Sequence, residues 1–502
     1  MVYDPQRGVA FPDPTRSRPR EPVAPPPLTA PPPAPASPHT PDEDDQRAAI
    51  AFLSAAASYD AGQPVERIDT HCSIVFLVGT RAYKLKRAIR YASLDYTTLA
   101  LRHDACAAEL RLNRRTAPCL YLGMRAVTRD ETGRLAFDGP GQALDYVVVM
   151  RRFAQEDLFD RMAQTGRLTP TLMRKLGEAV AQLHASAQPT KLHGGAVPMR
   201  GVIAQNEEEL SRVAGALDGA AVGTLGEQTR AWLDRLAPML DARRDEGKVR
   251  RCHGDLRLAN ICLFRGQPTM FDCIEFSDEV GCIDVLYDLA FLLMDLLLSG
   301  GRRLANALFN AYLDAAPETE GLRVLPLFLA LRAATRSYAL AGGAARRADP
   351  REAARRLAFA RRHIEAGIRF LSPPPPVLIL MGGADRQLRA RVAATVAGMV
   401  EPVPGARLLQ LDGSPDVSWN AAAAALAAGC SVLVHGTFAD ATNEMRAVDI
   451  ADCLRVRRQG FWIGPPRPNL DSRLWQALCP ASAARAGQMI KTRLARPNGG
   501  AG

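Results

Sequence analysis

Several absences narrow this 502-residue sequence before any motif is read. No block of lysine and arginine is dense enough to serve as a nucleic-acid arm, and no basic stripe is interleaved with aromatics, although the net charge is +10. A nucleic-acid partner is therefore not expected, and the positive charge is compatible with an anionic ligand. The ten cysteines include no C-x-x-C and no Cys/His group at zinc-ligand spacing. Cys252, Cys262, Cys273 and Cys282 recur at intervals that could suggest a metal site, but small buried thiols beside a core strand are the simpler reading. No stretch reads as a signal peptide. The most apolar run, DVLYDLAFLLMDLLL, is interrupted by Asp288 and Asp295 and is too short to span a bilayer. These features lead to the expectation of a cytoplasmic protein with reduced thiols and no membrane segment.

An apolar content of 47% is ordinary for a globular protein, and the length is too great for one ordinary core. Residues 1–45 are rich in proline and alanine and poor in large apolar groups, so disorder is expected there. A second break, SPPPP at 372–376, reads as a semi-rigid linker. The expected domains are then 46–371 and 377–502. Charge divides as roughly −3 over the tail, roughly +8 over the middle and roughly +5 beyond residue 373.

Within 46–371, SIVFLVGTRAYKLKRAI reads as two strands around Gly79-Thr80, LALRHDACAAELRLNRRTA as a helix ended by Pro118, and DYVVVMRRF (145–153) as another strand. From LTPTLMRKLGEAVAQLHASA onward the pattern is helical, apart from the segment around 253–276. Strands first and helices later make a two-lobed α+β layout.

The chemistry concentrates in HGDLRLANICLF (253–264) and TMFDCIEF (269–276). Asp255 and Asn260 lie five residues apart, and Asp272 follows at the far side of a hairpin. Phosphoryl transfer from ATP needs such a set, with one carboxylate to take or orient the acceptor hydroxyl and two oxygen ligands to hold Mg²⁺. The D-x-x-x-x-N spacing equals that of the protein-kinase catalytic loop. His253 would fix the loop from beneath. The bland alternative is a satisfied polar turn with no metal. Upstream, a strand lysine should grip the phosphates and a helix glutamate should hold the lysine. Lys84 and Lys86 share one face of a strand, with Lys86 preferred, and Glu109 on the next helix can reach one of them. Solvated edge lysines are the alternative. YVVVMRR, with Met150, would be the hinge whose backbone meets adenine. There is no G-x-G-x-x-G, so the Gly79-Thr80 turn would have to cover the phosphates.

Taken in order, YKLK, Glu109, YVVVM, AQLHA, HGDLRLANI, FDCIEF and IDVLYDLAFLLMDL resemble the aminoglycoside phosphotransferase-like kinase superfamily. Within it they most resemble the two-domain proteins called bifunctional aminoglycoside phosphotransferase/ATP-binding proteins, over about residues 46–371. The resemblance implies a protein-kinase-like fold, Asp255 as catalytic base with His253 supporting it, Asn260 and Asp272 as Mg²⁺ ligands, a phosphate-binding lysine in YKLK, and Asp288 as a structural brace. It also implies ATP as donor and a small-molecule hydroxyl as acceptor. Arg257 stands where the family usually shows histidine, and Gly281 where it usually shows arginine. Asp278, Glu279 and Asp284 could still build an acidic patch for a cationic acceptor.

The tail opens with PVLILMGGADRQLRARVAATVAG (376–398), which is similar to a Walker A entry of strand, glycines and helix. In register, Arg386 and Leu388 fall on the later glycines, Arg389 on the lysine and Ala390 on the Ser/Thr. His435 stands where an aspartate is expected. The expectation is a small α/β, P-loop-like domain without activity, docking on the kinase domain or on a protein partner. The alternatives are that Arg386 and Arg389 still bind an anion, and that the whole chain is a nucleotide-binding pseudokinase scaffold.

Overall fold

The computed structural model describes residues 41–91, 94–316, 318–347, 349–411, 415–438, 441–465, 474–478 and 483–494, with the strand pair Val2–Tyr3 and Ala10–Phe11. Most of residues 1–45, where disorder is expected, lies outside these residues, but 41–45 are helical and Asp45 pairs with Arg129 (2.9 Å).

The N-terminal part is built on alternating strands. Val65–Asp69 (β1), Ser73–Val78 (β2), Arg81–Lys86 (β3), Tyr121–Arg129 (β4), Leu135–Phe137 (β5) and Gln142–Arg151 (β6) form one antiparallel sheet in the order β1-β2-β3-β6-β4-β5. The β2–β3 hairpin turns at Gly79-Thr80 as expected, with Val78 opposite Arg81. Helix α1 (Pro41–Ser54) covers one face through Ala49 and Leu53 against Phe76, Leu85 and Val147. Helix α2 (Leu99–Asn113) lies on the other face and starts where the Thr98 hydroxyl accepts the Leu101 amide. Period-2 alternation therefore sends Tyr83 and Leu85 to the α1 side and Lys84 and Lys86 toward α2.

The second lobe is helical, with helices α3 (Pro170–Ser186), α4 (Val285–Asp295), α5 (Arg302–Ala315) and α6 (Leu325–Ala344). Helix α4 is buried on all sides over Val285–Met294, as a core helix should be. Among the described residues, one segment, Glu320–Ala344, is long and apolar enough to cross a membrane by length and composition, and its most apolar 18-residue stretch is 72% buried in the fold. The hairpin of Ile261–Phe264 (β7) and Gln267–Met270 (β8) carries the chain back from Asn260 to Asp272.

Beyond Pro376, Val377–Gly382 (β9), Arg407–Gln410 (β10), Val432–Gly436 (β11), Arg457–Ile463 (β12) and Trp475–Leu478 (β13) form a parallel sheet in the order β10-β11-β9-β12-β13. It is not set apart by the prolines. Phe309 and Leu329 of the helical lobe belong to the same apolar cluster as Leu409, Leu426 and Val434. Helix α5 ties the two parts with polar bonds: Asn306 Nδ2 donates to the Ala406 carbonyl (3.0 Å), and Asn310 accepts the Leu408 amide (2.7 Å). Arg302 donates to the Val400 carbonyl (2.8 Å).

Candidate active site

The loop at 253–260 is held by buried groups rather than by its own turn. Gly254 has φ +85°, and a Cβ there would meet Ile274 Cγ1 at 2.8 Å, so glycine is required. Asp288, in the first turn of α4, accepts the amides of His253 (3.0 Å) and Gly254 (2.9 Å) and is bonded to His184 Nε2 (3.1 Å). Burial acts to raise its carboxyl pKa, but the His184 bond and the neighbouring His253 hold it down at about 2. A folded-state pKa below the ordinary 3.8 stabilises the fold above pH 4, and that contribution is lost as pH falls toward 2. Asp288→Asn is therefore expected to flatten the acid limb of a stability-versus-pH curve, measured by urea unfolding between pH 5 and 2, while lowering stability at neutral pH. An unchanged acid limb would show that Asp288 does not carry this linkage.

His253 is fully buried, and its Nε2 donates to the Phe271 carbonyl at 3.0 Å. It ties the loop to the hairpin and contacts no open space, so its place is that of a positioning residue and not a catalytic one. His184, Cys252 and Asp288 bring ligand-type atoms within 4.8 Å of one another. The two nitrogens of His184 are already engaged by Asp288 and by the Tyr312 hydroxyl (2.9 Å), so the group is a hydrogen-bonded brace. Cys262, Cys273 and Cys282 are buried outside this group, which supports the structural reading of the four cysteines.

Asp255, Asn260, Asp272, Lys84 and Lys86 all line one cavity of about 570 Å³ between the lobes. Asn260 Nδ2 donates to Asp255 Oδ2 (2.8 Å) and to the Asp255 carbonyl (2.9 Å), and its Oδ1 has no hydrogen bond among the described residues. Asp272 sits at φ +62°, a left-handed conformation for a non-glycine residue at the end of the hairpin. Its carboxylate pairs with Lys84, and its amide donates to the Tyr121 hydroxyl (3.2 Å). Burial would raise the Asp272 pKa, but the Lys84 ammonium keeps it below the ordinary value. Two hard oxygen donors beside one lysine fit a divalent cation in type.

Glu109 reaches both lysines and not one. Its Oε1 pairs with Lys84 (2.9 Å) and its Oε2 with Lys86 (2.7 Å), while the glutamate is fully buried. Lys86 also pairs with Glu275, whose Oε1 accepts from the Tyr96 hydroxyl (2.6 Å). The two lysines, of which Lys86 is the expected phosphate ligand, differ in depth. The Lys86 side chain is only 1% exposed and its ammonium meets two carboxylates, whereas Lys84 is 13% exposed and faces Asp272. Glu275, visible in FDCIEF but given no role, closes the buried pair. The C-terminal end of α2 is latched to the same region, with Asn113 Oδ1 accepting the Cys273 amide (2.9 Å) and the Thr116 hydroxyl donating to the Met270 carbonyl (2.8 Å).

Met150, at the end of β6, lines the cavity together with Ile68, Val75 and Ala82, with which it shares an apolar cluster. Gly79-Thr80 does not line it. The turn between β1 and β2, Thr70 to Ser73, does, so the cover expected from Gly79-Thr80 belongs one hairpin earlier. Gly281 has a physical reason. A Cβ there would lie 2.4 Å from Arg251 Nη1, and Arg251 fills that space while donating to the Ser277 (2.9 Å) and Ile274 (3.0 Å) carbonyls.

The sequence of residues 93–325 matches the family model "Phosphotransferase enzyme family". That segment is therefore similar in sequence to this family. The match begins just before α2 and includes Glu109, Asp255, Asn260 and Asp272; Lys84 and the first three strands precede it. An uncharacterized protein of Mycobacterium tuberculosis is 26% identical to the chain over 351 residues, covering 68% of this chain and 66% of that protein. The chain thus spans slightly less than two thirds of that relative. Among solved structures, a choline/ethanolamine kinase family protein from Mesorhizobium loti is 17% identical, covering 65% of this chain and 98% of that one with a TM-score of 0.39. Plasmodium vivax ethanolamine kinase is 10% identical, covering 66% and 95%, with a TM-score of 0.40.

Proposed function

We propose that the phosphotransferase domain moves the γ-phosphoryl group of ATP to a hydroxyl of a small molecule, with Mg²⁺ as the metal. One observation carries the reading: a buried glutamate clamps Lys84 against Asp272 in the same cavity that holds the Asp255–Asn260 pair. In this reading Asp255 takes the acceptor proton and Lys84 neutralises phosphate oxygens. Asn260 Oδ1 and the Asp272 carboxylate would hold Mg²⁺, which when bound offsets charge building on the phosphates. Met150 and its neighbours on β6 would meet the adenine through their backbone. Lys86 belongs to the fold beneath the site.

The parallel sheet beyond Pro376 is read as a P-loop-like domain that has lost its phosphate cradle. Arg389, on helix α7 (Arg386–Ala397), is fully buried and donates to the Gly383 carbonyl, so its side chain lies across the loop. The Asp385 carboxylate caps that helix through the Leu388 amide (2.9 Å), placing a negative charge where a phosphate would bind. Both features support an inactive domain whose role is its packing on α5. ADP release by the purified chain with Mg²⁺-ATP, across a panel of hydroxylated compounds, tests the proposal together with ATP-induced thermal shift. No turnover and no shift would refute it in favour of a scaffold.

A further inference from the structure

We infer that Arg257 selects an acceptor alcohol that carries an anionic group, a carboxylate or a phosphate, close to its reacting hydroxyl. This rests on the phosphotransferase reading above. Arg257 Nε lies 2.9 Å from Asp255 Oδ1 and 3.0 Å from Oδ2, and Asn260 already donates to Oδ2. Both oxygens of the base are therefore engaged by the protein's own donors. An acceptor hydroxyl must compete with a guanidinium for the carboxylate it needs. A neutral alcohol offers that guanidinium nothing in exchange, and an ammonium group is repelled by it.

An anion on the acceptor changes the balance. Among the described residues, no hydrogen bond or ion pair engages the two Nη atoms of Arg257, whose side chain is 24% exposed and lines the cavity. A carboxylate or phosphate can take that edge in a forked, charge-assisted pair and draw the guanidinium off Asp255. The hydroxyl on the same small molecule is then delivered to the freed oxygen.

The surroundings favour the same charge. Arg336, on α6, makes no hydrogen bond or ion pair among the described residues, and burial together with the nearby Arg257 holds its pKa down. Arg346 acts in the same sense on His71 in the cavity wall, after burial. Of the three acids that could build a cation patch, Asp284 and Asp278 are paired with arginines, while Glu279 is exposed. Asp284 is buried and bidentate with Arg243 (2.7 and 2.8 Å), and Asp278 pairs with Arg251 (2.8 Å). Asp295 accepts the Leu258 amide (2.9 Å), and burial raises its pKa toward the neutral form.

The experiment is a matched panel of a hydroxycarboxylate, a sugar phosphate, a neutral polyol, choline and an aminoglycoside, run with wild type and Arg257→Gln. The expected result is turnover confined to the carboxylate or phosphate arm. Arg257→Gln should lower kcat/KM there by roughly 10- to 100-fold, the loss falling on the KM of the anionic acceptor and not on the KM for ATP. The two anionic arms tell carboxylate from phosphate. Turnover of neutral or cationic alcohols alone, or an ATP-induced shift with no anionic alcohol consumed, would overturn the inference and leave nucleotide use intact. Loss of both the ATP shift and all turnover would overturn the phosphotransferase reading itself.

Discussion

Asp255→Asn leaves ATP bound and lowers phosphoryl transfer by about 10²- to 10⁴-fold, the range a general base supplies. The substitution keeps the side-chain size and removes only the charge and the proton-accepting oxygen. The loop does not depend on that carboxylate for its shape, because the His253 and Gly254 amides are held by Asp288 and His253 by the Phe271 carbonyl. Asn260 retains its bond to the carbonyl of residue 255. ATP affinity by calorimetry should thus stay within a few-fold of wild type while ADP release collapses. The same variant bears on the tail. Hydrolysis by a working P-loop beyond Pro376 would survive Asp255→Asn, whereas a chain with one nucleotide site becomes silent. Retained transfer to the acceptor would mean that the base is elsewhere.

The segment 253–276 was legible in the sequence because its geometry is local. Five residues of loop, a four-residue strand and its return place Asp255, Asn260 and Asp272 together through one hairpin. The facing of Lys84 and Lys86 was legible for a similar reason, since alternation fixes the face of a strand. Alternation says nothing of depth, and depth is what separates the two lysines. It is set by Glu275, 189 residues downstream of Lys86. The β1 strand, VERID, has only two apolar residues and gives no run to notice, so the sequence points to the next hairpin for the turn that lines the cavity. β4 escaped for a related reason: Leu122 to Ala126 are half-buried and mixed in character. The ion pair of Arg257 with Asp255 spans two residues and could have been suspected from HGDLR, but whether the side chains meet depends on the loop's bend. The packing of the tail on α5 had no local signal, because Asn306 and Asn310 read as ordinary helix-surface amides.

The two lysines should separate cleanly when each is replaced by methionine, which keeps the length of the stem and removes the charge. Lys84→Met is expected to fold, because Glu109 keeps Lys86 as a partner and Asp272 is 44% exposed at its side chain and can be hydrated. Its loss falls on chemistry: removing one preorganised cation from the phosphates should lower kcat/KM for ATP by about 10²- to 10³-fold. Lys86→Met is the opposite case. Burial acts to lower the Lys86 pKa, but Glu109 and Glu275 hold it well above the ordinary lysine value, so the ammonium is charged and both carboxylates lean on it. Removing it leaves Glu275, among the described residues, with the Tyr96 hydroxyl alone, and breaking one side of a buried pair typically destabilises by about 3–5 kcal/mol. Urea midpoints and kcat/KM measured side by side decide the matter. A stability loss in Lys84→Met with ATP use preserved, or an unaltered midpoint in Lys86→Met with ATP use abolished, would return the phosphate-binding role to Lys86. The pattern expected here keeps one lysine for the nucleotide and makes the other the counter-charge that lets Glu109 remain ionised beneath it.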